Sequence, residues 1–270
     1  MVNLLRVTYQ SDISDKDWQT VEPHIPKPKT KRGRKREHPI REIFNAIFYI
    51  LRSGCQWRMM PHDFPPWSTV YHYFRLWRLK GIWEQINAAL KSELRIADGR
   101  QPEPSAAIID SQSVKTTETR GVRGYDAGKK IKGRKRHILV DTMGFLLMVI
   151  VHAADIQDRD GAKLVLDKFI GKSSRLSLIW ADGGYAGKLI DWVKEHCGWV
   201  LEIVKRSDDV KGFQVLPRRW VVERTFGWLG RYRRLSKDYE GLPESSESMI
   251  YAGMIHLMVR RLARKGTSNP

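Results

Sequence analysis

Arg136-His137-Ile138-Leu139-Val140-Asp141-Thr142-Met143-Gly144-Phe145-Leu146-Leu147-Met148-Val149-Ile150-Val151 decides the fold. Two apolar runs of strand length flank a turn at Thr142-Met143-Gly144, which predicts a β-hairpin. Upstream, Ala106-Ala107-Ile108-Ile109-Asp110 is a third run of strand type. Downstream the pattern alternates. Asp160 is a candidate cap for a helix over 161–170, and Leu176-Ser177-Leu178-Ile179-Trp180 is a strand. A helix follows at about 187–196, then the strand Trp199-Val200-Leu201-Glu202-Ile203-Val204, then a helix over about 218–234. A last helix runs from about Ser245 to Leu262.

Three strands followed by helix–strand alternation imply an α/β fold, a mixed sheet with helices packed on it. That order is the ribonuclease-H-like layout. Residues 1–100 read differently, as a small all-α domain preceding the sheet domain of 101–270. Ile40 to Leu51 carries apolar residues at helical spacing between Pro39 and Gly54, the usual terminal asymmetry. After a Pro-rich loop, Ser68 reads as the cap of a helix over 69–80, and Gly81 separates it from a third helix at Trp83 to Leu94. Two helices around a turn suit a helix-turn-helix with Arg75, Arg78 and Lys80 exposed, or a bundle used for dimer contacts. Trp57, Trp67, Tyr71, Phe74 and Trp77 are expected in its core. Asp98 to Pro104 reads as a linker.

Charge points to the partner. The chain has 270 residues, 48 Lys+Arg against 30 Asp+Glu, a net +18 and a sequence pI near 10.0. Such a balance is usual where basic side chains displace counterions from phosphates, so nucleic acid is favoured over a membrane surface or a ribosome-like role. Residues 26–38 hold prolines among Arg32, Arg34, Lys35 and Arg36, which suits a basic arm following a DNA groove. Cys55 and Cys197 lie far apart with no C-x-x-C pair, so neither a zinc knuckle nor a disulfide framework is expected, only buried thiols. The N-terminus lacks a signal-like apolar run, and no run reaches the length of a membrane span. The longest, Phe145 to Ala154, is interrupted by His152. A soluble, cytoplasmic protein is expected.

Three acidic residues stand out by position. Asp110 follows Ile108-Ile109, Asp182 ends the run Leu178-Ile179-Trp180-Ala181, and Glu223 lies in a helical stretch. Carboxylates held at neighbouring strand ends repel unless a cation lies between them. Hard oxygen donors suit Mg²⁺ or Mn²⁺, and two such ions about 4 Å apart can drive phosphoryl transfer. Plainer readings exist: a turn or cap at Asp110, an Asp-Gly turn at Asp182, and an ion pair of Glu223 with Arg219 or Arg224. His137 and His152 are expected to pack or hydrogen-bond rather than bind metal. Asp155, Asp158 and Asp160 are expected in a polar loop and helix cap, and Asp141 as an acid supporting the metal ligands. The run Lys129, Lys130, Lys132, Arg134, Lys135 and Arg136, with Arg231, Arg233 and Arg234, is expected to grip the DNA backbone.

The flanks carry a resemblance. Asp182-Gly183-Gly184-Tyr185 and Asp110-Ser111-Gln112-Ser113-Val114-Lys115 resemble the first two acid blocks of DDE insertion-sequence transposases. Arg219-Trp220-Val221-Val222-Glu223-Arg224-Thr225-Phe226-Gly227-Trp228-Leu229 is similar to the third, and Gly133 to Asp141 to the family's basic hairpin. Gly54-Cys55-Gln56-Trp57-Arg58 and Gly81-Ile82-Trp83 resemble its helical domain. The match covers nearly the whole chain and is closest to the bacterial insertion-sequence four/five group. The resemblance implies a ribonuclease-H-like catalytic domain and a triad of Asp110, Asp182 and Glu223 holding two Mg²⁺ or Mn²⁺ ions. It also implies double-stranded DNA (element ends and target) as partner, cleavage with strand transfer, an Arg219 phosphate contact, a homodimer or higher assembly on DNA, and a nucleoid-associated place in a bacterial cytoplasm. Two positions depart from the family pattern, Leu216 for a Tyr and Gly230 for a Lys, with Arg231 beside the latter. A catalytically silent descendant that binds DNA, or a nuclease that cuts without joining, are the alternatives.

Overall fold

The structure, a computed structural model, describes residues 6–26, 37–117, 121–204 and 220–265. The basic arm residues Arg32, Arg34, Lys35 and Arg36, together with Leu216 and Arg219, lie outside them.

Helices come first. α1 (Asp15–Val21) is not foreshadowed by apolar spacing; it rests on a reciprocal cap. The Ser14 side chain accepts from the Asp17 N–H while the Asp17 carboxylate accepts from the Ser14 N–H. α2 (Ile40–Ser53) follows Pro39 and ends at Gly54, whose φ of 75° needs no Cβ. α3 (Trp67–Leu79) starts one residue before Ser68, which therefore sits in the first turn instead of capping it. α4 spans Ile82–Ala97. Phe74 and Trp77 are buried as expected, but Trp67 and Tyr71 are 36% and 39% exposed, because α3 turns that side away from its neighbours.

Six strands form one mixed sheet: β1 (Ala106–Lys115), β2 (Gly124–Asp126), β3 (Ile131–Asp141), β4 (Leu146–Ala153), β5 (Leu178–Ala181) and β6 (Val200–Ile203). β1 pairs antiparallel with β3, and β3 pairs antiparallel with β2 and β4 on its other side. On its opposite edge β1 runs parallel to β5, and β5 parallel to β6. α5 (Asp158–Phe169) begins at Asp158, so Asp160 lies in its first turn rather than at its cap. α6 (Leu189–Trp192) continues as a π turn, Val193–Cys197. α7 (Trp220–Gly230) and α8 (Pro243–Lys265) close the chain. Among the described residues no helix is long and apolar enough to cross a membrane. Cys55 and Cys197 are free and only partly buried.

Strand alternation sorts the core into two layers. Ala107, Ile109 and Leu139 pack with Val165, Leu166 and Phe169 of α5. Ile108, Ile138 and Val140 face the other way, into a cluster with Phe44 and Phe48 of α2, Trp83 and Ile86 of α4, Val222 of α7 and Met254 of α8. That second layer runs across residue 100. Asn87 Nδ2 of α4 donates to the Leu146 carbonyl of β4 (2.8 Å), and Phe48 stacks on His256 of α8 with centroids 4.5 Å apart. The N-terminal helices therefore lie against the sheet and α8.

Candidate active site

β1 is longer than its apolar run. On the β3 side its pairing continues to Lys115, because Ser111 and Ser113 send their hydroxyls to carboxylates instead of to water. On the β5 side pairing stops at Ile108 opposite Trp180. Two residues further along each strand stand Asp110 and Asp182. Asp110 is thus a mid-strand residue at the fork where β1 and β5 part, and Asp182 is the first residue beyond β5. Parallel register brings the two acids to the same level of neighbouring strands.

Backbone donors orient both. Asp110 Oδ1 accepts the Ser111 N–H (2.7 Å), and Asp182 Oδ1 accepts the Gly184 N–H (2.8 Å) at the head of the short turn Gly183–Tyr185. Hard carboxylate oxygens at an open fork fit a small divalent cation that keeps several waters. Glu223 lies on the exposed side of the first turn of α7. Thr225 Oγ1 donates to the Gly144 carbonyl (2.8 Å) and Arg224 Nη2 to that of Met143 (2.9 Å), pinning α7 to the β3–β4 turn. Among the described residues no three His, Cys, Asp or Glu side chains are close enough to hold a metal ion. The parallel register sets Asp110 and Asp182, two of the acids named from sequence, at one level of neighbouring strands.

Beneath the fork lies a polar layer that residue spacing does not reveal. Ser111 Oγ donates to Asp158 Oδ1 (2.8 Å), which Lys135 Nζ also approaches at 3.0 Å. Burial works to raise the Asp158 carboxyl, but Lys135, Ser111 and Lys129 outweigh it and hold it below the usual range. Asp158 is therefore an engaged anion. Tyr185 is fully buried, and burial followed by Asp110, Asp158 and Asp182 raises its phenol well above the ordinary value. Three acids thus surround one hydroxyl that stays protonated.

That hydroxyl begins a directional chain. His152 Nδ1 lies 2.8 Å from the Ala153 carbonyl, which can only accept, so Nδ1 carries the proton. His152 Nε2 then accepts from His137 Nδ1 (3.3 Å), and His137 Nε2 accepts from the Tyr185 hydroxyl (2.8 Å). Gly161 of α5 makes room: a Cβ there would come within 2.5 Å of His137 Nδ1 and 2.6 Å of His152 Nε2. Both histidines are packed and hydrogen-bonded. Burial first, then His152, pushes His137 down to about 3, and burial first also pushes His256 down to about 3.

His137 and His256 set an acid limit on stability. The unfolded chain protonates them near 6.5 while the folded protein does not until about 3. Between those values the unfolded state binds more protons, so stability falls as pH falls. Each residue contributes up to about 1.4 kcal/mol per pH unit. Urea midpoints should drop clearly from pH 7 to pH 5; equal midpoints would contradict the neutral, buried state of His137 and His256.

The basic run is only partly at the surface. The β2–β3 turn occupies Ala127 to Lys130, so the residues after it belong to a strand covered on both faces. Arg134 and Arg136 face the α8 side. Arg134 donates from Nε, Nη1 and Nη2 to the carbonyls of Val122, Glu240 and Gly241 (2.7, 2.8 and 3.0 Å), with Asp238 at 3.3 Å. Arg136 donates to those of Leu235 (2.6 Å) and Lys237 (3.0 Å). Lys135 faces α5. All three are buried and engaged internally, which corrects their reading as a hairpin tip on DNA. Arg234 is likewise buried, paired with Glu240 at 2.8 Å. Lys129, Lys130, Lys132, Arg231 and Arg233 are exposed, with Gly230 beside them at the end of α7. Asp141 is fully buried, bound to Arg95 at 2.6 Å and accepting the Met143 and Phe145 N–H groups (2.9 Å each). Its role is to hold the β3–β4 turn against α4, not to support the metal ligands.

With this geometry the comparisons agree. Residues 101–258 match the transposase DDE domain, for which a ribonuclease-H-like sheet is expected, and residues 13–87 match the transposase of IS4/5 family domain. The uncharacterized 16.2 kDa protein of insertion element IS402 from Burkholderia cepacia is 32% identical over 124 residues, covering 44% of this chain and 78% of that protein. No solved structure matches. The order β4-β3-β1-β5-β6, with its first three strands antiparallel and its last two parallel to β1, makes a mixed α/β sheet. A transposase DDE domain marks an enzyme of the nuclease and transposase kind. The chain belongs to the DDE transposases of the IS4/5 group.

Proposed function

We propose that the chain is an active DNA transposase that binds the ends of its insertion element, cuts there, and joins the freed ends to target DNA. The observation that carries this reading is the register that sets Asp110 and Asp182 level at the β1–β5 fork. Both acids would hold Mg²⁺ or Mn²⁺, with Glu223 of α7 as third ligand. A pair of such ions supplies activation of the attacking oxygen and stabilisation of the leaving one. The chain's own residues aim and insulate. Ser111 N–H and Gly184 N–H fix one oxygen of each acid, Lys135 and Ser111 hold Asp158 as an engaged anion beneath them, and Tyr185 stays neutral among the carboxylates.

Lys129, Lys130, Lys132, Arg231 and Arg233 are proposed backbone contacts that add affinity without sequence choice. The helices before residue 100 and the arm at 26–38 are proposed to read the element ends, in a homodimer or higher assembly. The rivals are a catalytically silent DNA-binding descendant and a nuclease that cuts without joining. A duplex carrying the element ends separates the readings. An active transposase cuts it with divalent metal and yields joined products when 3′-hydroxyl ends are supplied. Cutting without joining assigns a nuclease, and binding without cutting assigns the silent protein.

A further inference from the structure

Where β1 ends and the β2–β3 hairpin begins, the surface opens into a groove of about 430 Å³ lined by Lys115, Thr116, Thr117, Arg123, Tyr125, Lys130 and Lys132. Among the described residues its lining holds four cations and no acid. All four are exposed, and none forms an ion pair among the described residues. Several other cations of the sheet region have an acid partner: Lys135 with Asp158, Arg134 with Asp238, Arg234 with Glu240, Lys168 with Glu247. Four unmatched like charges around one opening repel each other, and a polyanion relieves that repulsion.

Lys130 reaches the opening from the last position of the β2–β3 turn, where the chain takes a left-handed φ of 52°.

We propose that this groove seats the phosphodiester backbone of double-stranded DNA about five base pairs from the bond cut at Asp110 and Asp182. The inference rests on the transposase reading and adds a site to it, with Lys115, Arg123 and Tyr125 as members that basic-run reasoning does not single out. Lys115 lies five residues beyond Asp110 on β1. At about 3.3 Å per residue that is about 17 Å, and a duplex advances about 3.4 Å per base pair. A duplex occupant is chosen because the groove offers one aromatic ring, Tyr125, whereas single-strand grooves stack successive bases on several.

The test compares the full-length protein with a variant carrying Lys115→Gln, Arg123→Gln and Lys132→Gln, all exposed positions. Binding to a duplex with element ends is measured from low to moderate salt. Each lost phosphate contact should flatten the logarithmic salt dependence by about 1, so the variant slope is expected to be shallower by about 3. Phosphate-ethylation interference on wild type should show sensitive phosphates about four to six base pairs from the cut, and these alone should vanish in the variant. A charge-preserving set, Lys115→Arg, Arg123→Lys and Lys132→Arg, should keep the wild-type slope. An unchanged slope and footprint in the Gln variant overturns the groove while wild-type cutting keeps the transposase reading. Wild type that neither binds nor cuts overturns that reading instead. A duplex RNA bound with the same slope and lost equally would overturn the commitment to DNA.

Discussion

Asp182→Ala is expected to remove metal-dependent cleavage of end-containing DNA while leaving binding to the ends in place. Asp182 is the first residue beyond β5, one oxygen fixed by the Gly184 N–H, level with Asp110 across the fork. Changing groups that merely support a metal ligand costs about 10- to 100-fold; removing a ligand itself should cost more than about 100-fold. Binding responds differently, because affinity for duplex comes mainly from cation–phosphate contacts. Deleting a carboxylate near the phosphates removes repulsion, so end binding should hold or tighten. A gel assay for complexes beside a cleavage assay reads both quantities on one preparation. Loss of both together would mean that Asp182 serves the fold and not the chemistry.

Arg134→Ala is expected to act on stability, by about 3–5 kcal/mol, the usual cost of removing one member of a buried ion pair. The side chain is 2% exposed, and all three of its donor nitrogens reach backbone carbonyls, two of them in the segment joining α7 to α8. Its loss also leaves Asp238, itself 2% exposed, with Ser246 Oγ and the Glu240 N–H as donors among the described residues and Arg136 as the remaining nearby charge. Thermal unfolding should fall by about 6–20 °C. Arg134→Lys should rescue little, since an ammonium cannot reproduce the planar fork. Lys132→Ala, two residues earlier and exposed, should change stability by less than about 0.5 kcal/mol. Equal stability of the two alanine variants would contradict the buried placement of Arg134.

The contrast between Arg134 and Lys132 shows what the sequence can and cannot disclose. Strands were legible where apolar runs met turns, so the β3–β4 hairpin, β5 and β6 fall close to where periodicity puts them. β1 ran on past its apolar stretch because Ser111 and Ser113 are satisfied by Asp158 and Asp126, partners distant in sequence. The basic run looked like one solvated tip, yet strand alternation sends Arg134 and Arg136 to one covered face and Lys135 to the other. Nothing local tells a cation bound to buried carbonyls from one bound to phosphate. The acids at 110 and 182 were legible as run-ending carboxylates. Asp158, Tyr185 and the two histidines beneath them were not, since their meeting depends on how α5 crosses the sheet. α1 was missed because seven residues show too little periodicity, although its capping pair, Ser14 and Asp17, was written in the chain.

The central claim is that Asp110 and Asp182 share the reacting metal at the strand fork. Replacing each in turn by cysteine tests it most directly, because a thiolate disfavours Mg²⁺ more than Mn²⁺. End cleavage by Asp110→Cys and by Asp182→Cys should be lost in Mg²⁺ and partly restored in Mn²⁺, with wild type active in both. Cleavage by either variant at the wild-type rate in Mg²⁺ would contradict the claim.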